Sequence, residues 1–484
     1  MTLHSLRAFV NLLEARGELR RITAPVSADL EITEITDRVS KSATDNLALL
    51  FENVVGHTVP VLTNAFGSDR RMAWALGVDH LDELGDRLGR LLTPQIPGPL
   101  LEKLKRGLEA SEVLRYAPRV VRRAPCQEVI LRGEEASLAS LPVLRCWPGD
   151  AGPFITLPLV VTRDPQSGGR NLGMYRLQVY DERTTGLHWH IHKDAAQHFR
   201  KSADRQEFLP VAVALGPEPA VTYAASAPLP PGIDELLVAG WLQRASVPVV
   251  RCVTNDLLVP AQSEIVLEGY CDPAESRLEG PFGDHTGYYS LADNYPVLHV
   301  TAITHRRQPI YPATVVGRPP MEDAYMGKAT ERLFLPLMRL LLPEIRDVHM
   351  PVEGGFHNLV LVSIKKTYPG QARKVMFALW GMGLMMLAKT ILVVDDDTDV
   401  QNLSQVAWRA LNNVDPRRDL MVVEGPLDAL DHASPSSHYG SKLGVDATRK
   451  LPEEGHARPW PDDIVMSPEV VQRISERWRE IMGR

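Results

Sequence analysis

Glu279 and Asp284 stand five residues apart in the segment Arg277-Leu278-Glu279-Gly280-Pro281-Phe282-Gly283-Asp284-His285-Thr286-Gly287-Tyr288-Tyr289. Proline locks φ and glycine reaches conformations other residues avoid, so Gly280-Pro281 fixes one bend and Gly283 allows a close backbone approach. The segment is built to aim two carboxylates at one place. Two acids so aimed can transfer protons or bind a metal.

Other segments also carry chemistry-bearing side chains. In Asn171-Leu172-Gly173-Met174-Tyr175-Arg176-Leu177-Gln178, a strand would place Asn171, Gly173 and Tyr175 on one face and Arg176 and Gln178 on the other. Asn171 and Arg176 converge only if a bulge intervenes; the bland alternative is a barrel strand with a surface arginine. In Leu187-His188-Trp189-His190-Ile191-His192, three histidines repeat at period two. Three histidines with an open position suit catalytic zinc. On an extended strand, however, they span roughly 13 Å, so one or two can share an ion. Asp234 and Glu235 open an apolar run, where Asp234 can cap a helix and Glu235 complement its dipole. Asp395-Asp396-Asp397-Thr398-Asp399 begins like a calcium loop, but Val400 and Val406 occupy the positions that need glycine and glutamate. Gly381-Met382-Gly383 lacks the third glycine of a dinucleotide fingerprint, and neither a phosphate-binding P-loop nor a Gly-x-Ser-x-Gly elbow occurs.

These residues need a large scaffold. A chain of 484 residues is long enough for roughly two to four domains. Its net charge of −7 and lack of a basic stripe argue against nucleic acid as the main partner. Cys126, Cys146, Cys252 and Cys271 are scattered without a CxxC pair, which predicts reduced thiols in a cytoplasmic protein. The first residues have no apolar signal core. The longest apolar run, Phe377 to Val394, contains Gly381, Gly383 and Lys389, and reads as a buried helix and strand, with no integral membrane segment.

Periodicity divides the chain into an N-terminal α/β unit (1–118), a β-rich middle (119–308) and a C-terminal α/β unit (309–484). The N-terminal unit has helices at Leu6 to Glu18 and Leu81 to Leu92, with strands Ala48 to Phe51 and Val59 to Leu62. The middle has short strands at 128–131, 157–162, 173–180, 187–192, 211–215 and 264–268, with a helix at Ile233 to Arg244; that spacing suggests a barrel or sandwich. Strands at 357–365, 390–394 and 420–424 alternate with helices at 370–386 and 402–412, which implies parallel pairing. Ser467 to Ile481 is an amphipathic tail helix suited to packing on its own domain or on a neighbouring subunit.

Taken together, these segments resemble the UbiD family of decarboxylases, and the resemblance covers nearly the whole chain. It rests on Gly17 to Ile22 and Leu30 to Ile35, on Asn171 to Gln178, on Val259-Pro260-Ala261 with Glu264 to Gly269, and on Glu279 to Tyr289. It continues in Gly317-Arg318-Pro319-Pro320, Gly440-Ser441-Lys442 and Asp446-Ala447-Thr448. The resemblance implies a mixed α+β chain with a central flavin-binding split β-barrel and a tail used in a homodimer or homohexamer. It implies a prenylated FMN cofactor made by a separate flavin prenyltransferase, with Mn²⁺ or Mg²⁺ on its phosphate and K⁺ or Na⁺ nearby. By the same resemblance Asn171, His192 and Glu235 hold the metal, which leaves His188 and His190 as substrate-pocket, core or surface residues. Oxygen donors with one imidazole suit such an ion, which offsets buried phosphate charge. Thr156 and Ala225-Ser226-Ala227-Pro228 match stretches that line the cofactor, and Arg176 reaches it too. Ile191 stands where some relatives have a polar residue.

The family's catalytic trio maps to Arg176, Glu279 and Asp284. Arg176 is expected to pair with Glu279 and orient a substrate carboxylate. Asp284, beside Phe282 in a dry environment, is expected to have a raised pKa and to deliver the proton to the carbon that loses CO₂. The cofactor would supply the electron sink. His188-Trp189-His190-Ile191-His192-Lys193-Asp194, Gly354 to Asn358, Thr448-Arg449-Lys450 and Glu453-Glu454-Gly455 look closer to the menaquinone branch, which acts on a dihydroxynaphthoate-type acid, than to the ubiquinone branch, which acts on a polyprenyl-hydroxybenzoate. An acid of another, catabolic pathway is the alternative substrate class. Two readings of other kinds are a flavin- or metal-binding protein without turnover, and a zinc hydrolase using His188, His190 and His192.

Overall fold

The computed structural model describes residues 3–92, 115–189, 193–230 and 232–483. His190, Ile191 and His192, with the metal and zinc readings placed on them, lie outside the described residues.

The centre is a seven-stranded antiparallel sheet. Its strands run in the order Thr184–Gly186, Asp293–His305, Ile265–Glu279, Leu209–Leu215, Leu159–Arg163 and Arg170–Met174, and Val129–Arg132 also pairs with Asp293–His305. Both faces are covered. Leu209, Val211, Val213 and Leu215 point into one core, shared with Leu49 and Phe51 of the N-terminal unit. Ala212 and Ala214 point into a second core under the helices Pro219–Ala224 and Glu235–Gln243. Burial on both faces explains why these strands read as apolar runs without clean alternation. The described strands form open sheets and no closed barrel.

The N-terminal sheet orders Leu19–Ile22, Ala48–Phe51, Val61–Thr63 and Tyr311–Pro312. The last strand arrives from far along the chain, pairing Tyr311 with Val61. The C-terminal sheet runs Ile345–His349, Leu359–Ile364, Thr390–Asp395, Tyr439–Asp446 and Leu420–Pro426. Its three inner strands are parallel, as the strand-helix alternation predicts, and its edges are antiparallel.

Several elements differ from the sequence reading. Glu322–Leu341 is a 20-residue helix despite Pro336 in its interior. Proline cannot donate to the carbonyl of Arg332, four residues earlier. The helix Asp82–Leu92 packs there through Gly85, where a Cβ would sit 2.7 Å from that carbonyl. The strand expected over 173–180 breaks at Tyr175-Arg176 and resumes as Leu177–Gln178. Leu187, His188 and Trp189 are not in a strand, so His188 does not sit on the strand face that the period-two pattern suggests. The tail helix Pro468–Met482 buries none of its residues against the chain, leaving Val471 and Trp478 exposed. No described helix is long and apolar enough to cross a membrane.

Candidate active site

Glu279 is the last residue of the 15-residue strand Ile265–Glu279, so the sheet fixes its backbone. Gly280 follows at φ +90°, a conformation that favours glycine. Its N–H donates to Gln178 Oε1 at 2.8 Å. Phe282–Gly283 then pairs with Tyr289–Ser290 in a short hairpin. Trp147 packs on Gly283, where a Cβ would meet its ring at 2.2 Å. At the hairpin tip the Gly287 N–H donates to the Asp284 carbonyl at 2.9 Å, a turn closed by Gly287 at φ +82°. Glu279 and Asp284 are thus aimed by two devices, a strand end and a tight turn.

Arg176 comes to them from the break in its strand. Registers Leu159↔Met174 and Ile155↔Leu177 place Thr156 and its neighbours opposite that break. The break does the work for which a bulge seemed necessary, turning Arg176 toward both acids. Its Nε donates to Glu279 Oε1 at 2.9 Å, its Nη1 to Asp284 Oδ2, and its Nη2 to Ser290 Oγ at 3.0 Å. The guanidinium carbon lies 4.4 Å from the centroid of the Phe282 ring, a cation–π arrangement. The Glu279 side chain is wholly buried, and those of Arg176 and Asp284 are each 10% exposed.

Two histidines complete the cluster. His188 Nδ1 lies 2.8 Å from Glu279 Oε2. Burial pushes the His188 imidazole down, which favours a neutral ring donating Nδ1–H to the carboxylate. His285 donates its backbone N–H and Nδ1–H to Asp284 Oδ1 at 2.8 and 2.9 Å. Sequence reasoning missed both partners. A pocket, core or surface place for His188 names no partner, and His285 adjoins Asp284 in the opening motif with nothing in its spacing to show a bond.

The acid strengths differ from expectation. Burial alone would raise the Asp284 carboxyl, but the hydrogen bond from His285 and the charge of Arg176 hold it well below the usual range. Glu279 behaves likewise: burial raises it, and His188 and Arg176 bring it below its ordinary value. The raised pKa read for Asp284 is therefore corrected for this arrangement. Phe282 does make the surroundings dry, but a dry site that contains a guanidinium favours the carboxylate.

Of the other predicted residues, Asn171, Glu235 and Ala225 meet along the edge strand Arg170–Met174, and His192 lies outside the described residues. The Leu172 N–H donates to Glu235 Oε2 at 3.2 Å, bringing the Glu235 carboxylate against the backbone beside Asn171. Asp234 caps that helix by accepting from the Leu236 N–H at 2.8 Å. Met174 N–H donates to the Ala225 carbonyl at 3.0 Å, which ties Ala225 and the following Ser226, Ala227 and Pro228 to the same strand. Thr156 is buried, and its hydroxyl accepts from Thr314 N–H at 3.1 Å. Burial pushes the Glu235 carboxyl up to about 7, and the buried Asn171 Nδ2 has no hydrogen-bond partner. The desolvated Glu235 carboxylate and the Asn171 side-chain oxygen are hard donors that suit a bound cation, while the unpaired Asn171 Nδ2 suits an acceptor such as a phosphate oxygen. Among the described residues, no group of three His, Cys, Asp or Glu forms a metal cluster. Asp395 and Asp397 instead accept from Arg449, through its N–H and its Nη2, each at 2.7 Å.

Three family models match in order: the 3-octaprenyl-4-hydroxybenzoate carboxy-lyase N-terminal domain over residues 10–88, its Rift-related domain over 119–319, and its C-terminal domain over 324–447. An uncharacterized protein of Archaeoglobus fulgidus is 49% identical over 483 residues, covering 99% of each chain. Among solved structures, the UbiD-class enzyme HmfF from Pelotomaculum thermopropionicum in complex with FMN superimposes with a TM-score of 0.82 at 31% identity, covering 97% of this chain and 98% of that one. An evolved dimeric form of that enzyme was solved in complex with prFMN, with a TM-score of 0.80 at 30% identity and coverage of 97% and 98%. The vanillic acid decarboxylase of Sedimentibacter hydroxybenzoicus in closed form gives a TM-score of 0.87 at 28% identity over the full length of both chains.

Proposed function

The chain belongs to the UbiD family of carboxy-lyases, and on that premise we propose that it carries out the reversible, non-oxidative decarboxylation of a hydroxyaromatic carboxylic acid in quinone biosynthesis. The substrate is a dihydroxynaphthoate-type acid or a 4-hydroxy-3-polyprenylbenzoate, and the cofactor is prenylated FMN supplied by a flavin prenyltransferase. The observation that carries the reaction is the buried guanidinium of Arg176, shared between Glu279 and Asp284.

Arg176 binds and orients the substrate carboxylate, since its planar fork matches two oxygens. Glu279, held by Arg176 and His188, keeps that fork in place. Asp284 delivers the proton that replaces CO₂ on carbon. It is charged at rest, so it takes up a proton before it can donate one. A substrate carboxylate beside Arg176 competes for the guanidinium and adds a like charge, and both effects raise the Asp284 pKa. When bound, prenylated FMN supplies the electron sink for the departing carboxylate. Asn171, Glu235 and His192 would hold Mn²⁺ or Mg²⁺ on the cofactor phosphate, with K⁺ or Na⁺ nearby. Thr156 and Ala225 to Pro228 would line the cofactor. We place the protein in the cytoplasm as a homodimer or homohexamer.

Likeness to a vanillic acid decarboxylase supports a second substrate class, an aromatic acid met in catabolism, with the same chemistry. One experiment covers both: co-expression with a flavin prenyltransferase, then a screen of naphthoic, hydroxybenzoic, heteroaromatic and acrylic acids for CO₂ release, with metal analysis. Turnover of one class with flavin and manganese present supports the proposal. Zinc without flavin and no CO₂ from any acid overturns it.

A further inference from the structure

His357 reaches the site from the C-terminal unit. It follows the 3-10 turn Val352–Gly354 in a loop where Gly355 and Phe356 lie at φ +55° and +48°. For phenylalanine that conformation is strained and persists only where the surroundings impose it. Here they do. The Phe356 ring tilts against His285 with centroids 5.3 Å apart, and it packs on Gly327, where a Cβ would lie 3.1 Å from it. The strained turn brings His357 Nε2 to 2.8 Å from His285 Nε2.

A contact between two imidazole nitrogens at that distance holds one proton. The groups facing it are mostly acids. Asp284, Asp323 from the helix Glu322–Leu341, and Asp428 act on His285. His285, Asp428, Asp284 and Asp431 act on His357, and Asp431 already accepts from Lys389 at 2.9 Å. Burial lowers His285, but its bond to Asp284 brings it above its ordinary value. Burial and the charge of His285 push His357 down to about 4. The resting arrangement is therefore carboxylate, imidazolium, neutral imidazole.

We propose that His357 is a positioning residue for the proton that Asp284 delivers: by accepting His285 Nε2–H it keeps His285 doubly protonated, with Nδ1–H held on Asp284. The inference rests on Asp284 as the acid. In the balanced step, the bond between the ring carbon and its carboxylate breaks and CO₂ leaves. Asp284 gives its proton to that carbon, where the bonding pair ends in the new C–H bond. Asp284 has taken that proton from His285 Nδ1, which becomes a neutral imidazole. A proton from water restores His285 before the next turnover.

The test compares His357→Phe, which removes the acceptor, with His357→Gln, whose amide oxygen keeps one. The first readout is a pH titration of ¹⁵N-histidine NMR signals in the full chain without cofactor. Loss of a hydrogen bond to a charged group should lower proton affinity at His285 about tenfold in His357→Phe, with most of it regained in His357→Gln. In the cofactor-loaded enzyme, His357→Phe should reduce kcat about tenfold at pH 7.5, move the alkaline limb of its profile down by about one unit and leave KM in place. Should His357→Phe fail to fold, His357→Met serves as the apolar replacement. An unmoved His285 titration overturns the proposal, as does a moved titration with an unchanged kcat profile. Failure of the underlying reading looks different: Asp284→Asn would turn over like wild type.

Discussion

Arg176→Met removes the guanidinium that both buried carboxylates share, and its consequence can be worked through for Glu279. That side chain is wholly buried and would keep one neutral donor, His188 Nδ1–H. At about 4 Å and an effective dielectric of about 20, an ion pair is worth about 4 kcal/mol. The variant has a cheaper escape, because Glu279 can take up a proton instead of staying charged. From an unfolded pKa of about 4.3, protonation costs about 3.7 kcal/mol at pH 7 and about 1 kcal/mol at pH 5. The sign follows from the direction of each shift. In the wild type, Glu279 and Asp284 lie below their ordinary values, so their stabilisation is present above the unfolded carboxyl range and is lost as pH falls through the folded values. In Arg176→Met the folded Glu279 value is raised, so the deficit is full near neutrality and shrinks on acidification. Thermal melting of the cofactor-free protein across pH 5 to 8 reads the gap between the two proteins. At 2–4 °C per kcal/mol for a domain of roughly 200 residues, it should close from about 7–15 °C at pH 7 to about 2–4 °C at pH 5. A gap that is constant with pH, or absent at pH 7, would refute the reasoning.

Other outcomes follow from the same geometry. Asp284→Asn cannot carry the proton, so turnover should fall by about 10²–10⁴-fold while flavin absorbance shows the cofactor still bound; wild-type turnover would remove Asp284 from its role. Glu235→Ala should lose cofactor on desalting, with fold and melting retained, and undiminished flavin content after gel filtration would show that Glu235 does not hold the metal-phosphate site. All four cysteines are buried and unpaired, and burial pushes Cys126 and Cys146 up to about 12. A maleimide at pH 7.5 should label the native chain slowly and all four thiols in denaturant; fast stoichiometric labelling of folded protein would contradict their burial.

What was legible in the residues was what is local. Glu279 to Tyr289 announces itself because its turn chemistry and its acids are contiguous. Asn402 marks its helix as an N-cap whose side chain accepts from Gln405 N–H. The helix Glu322–Leu341 was hidden because Pro336 reads as a breaker, and the partner that tolerates it, Gly85, lies far away in sequence. The partner of His188 was hidden for a related reason. A period-two pattern assumes a strand, but the chain leaves its strand at Gly186, and the His188 partner is 91 residues away. The charge state of Asp284 was least legible of all. Dry surroundings can be read from Phe282 beside it, but the sign of the shift depends on Arg176, 108 residues distant, and on the side-chain direction of His285.

A carboxyl held low by an arginine is a poor acid, yet the contacts that make it so also make it switchable. Arg176 spends its donors on Glu279, Asp284 and Ser290. A substrate carboxylate that engages this fork must displace one of them. Glu279 is anchored by a strand end and by His188, whereas Asp284 sits at a hairpin tip and has a second cation in His285. Asp284 is therefore the partner that yields. Once it loses the guanidinium and gains a negative neighbour, its dry surroundings favour the protonated form, and the nearest proton is on His285 Nδ1. Substrate binding thus generates the acid it needs, and a ligand without a carboxylate leaves Asp284 charged. A lysine could not replace Arg176 here, because a single ammonium cannot fork across two carboxylates and a hydroxyl in this plane.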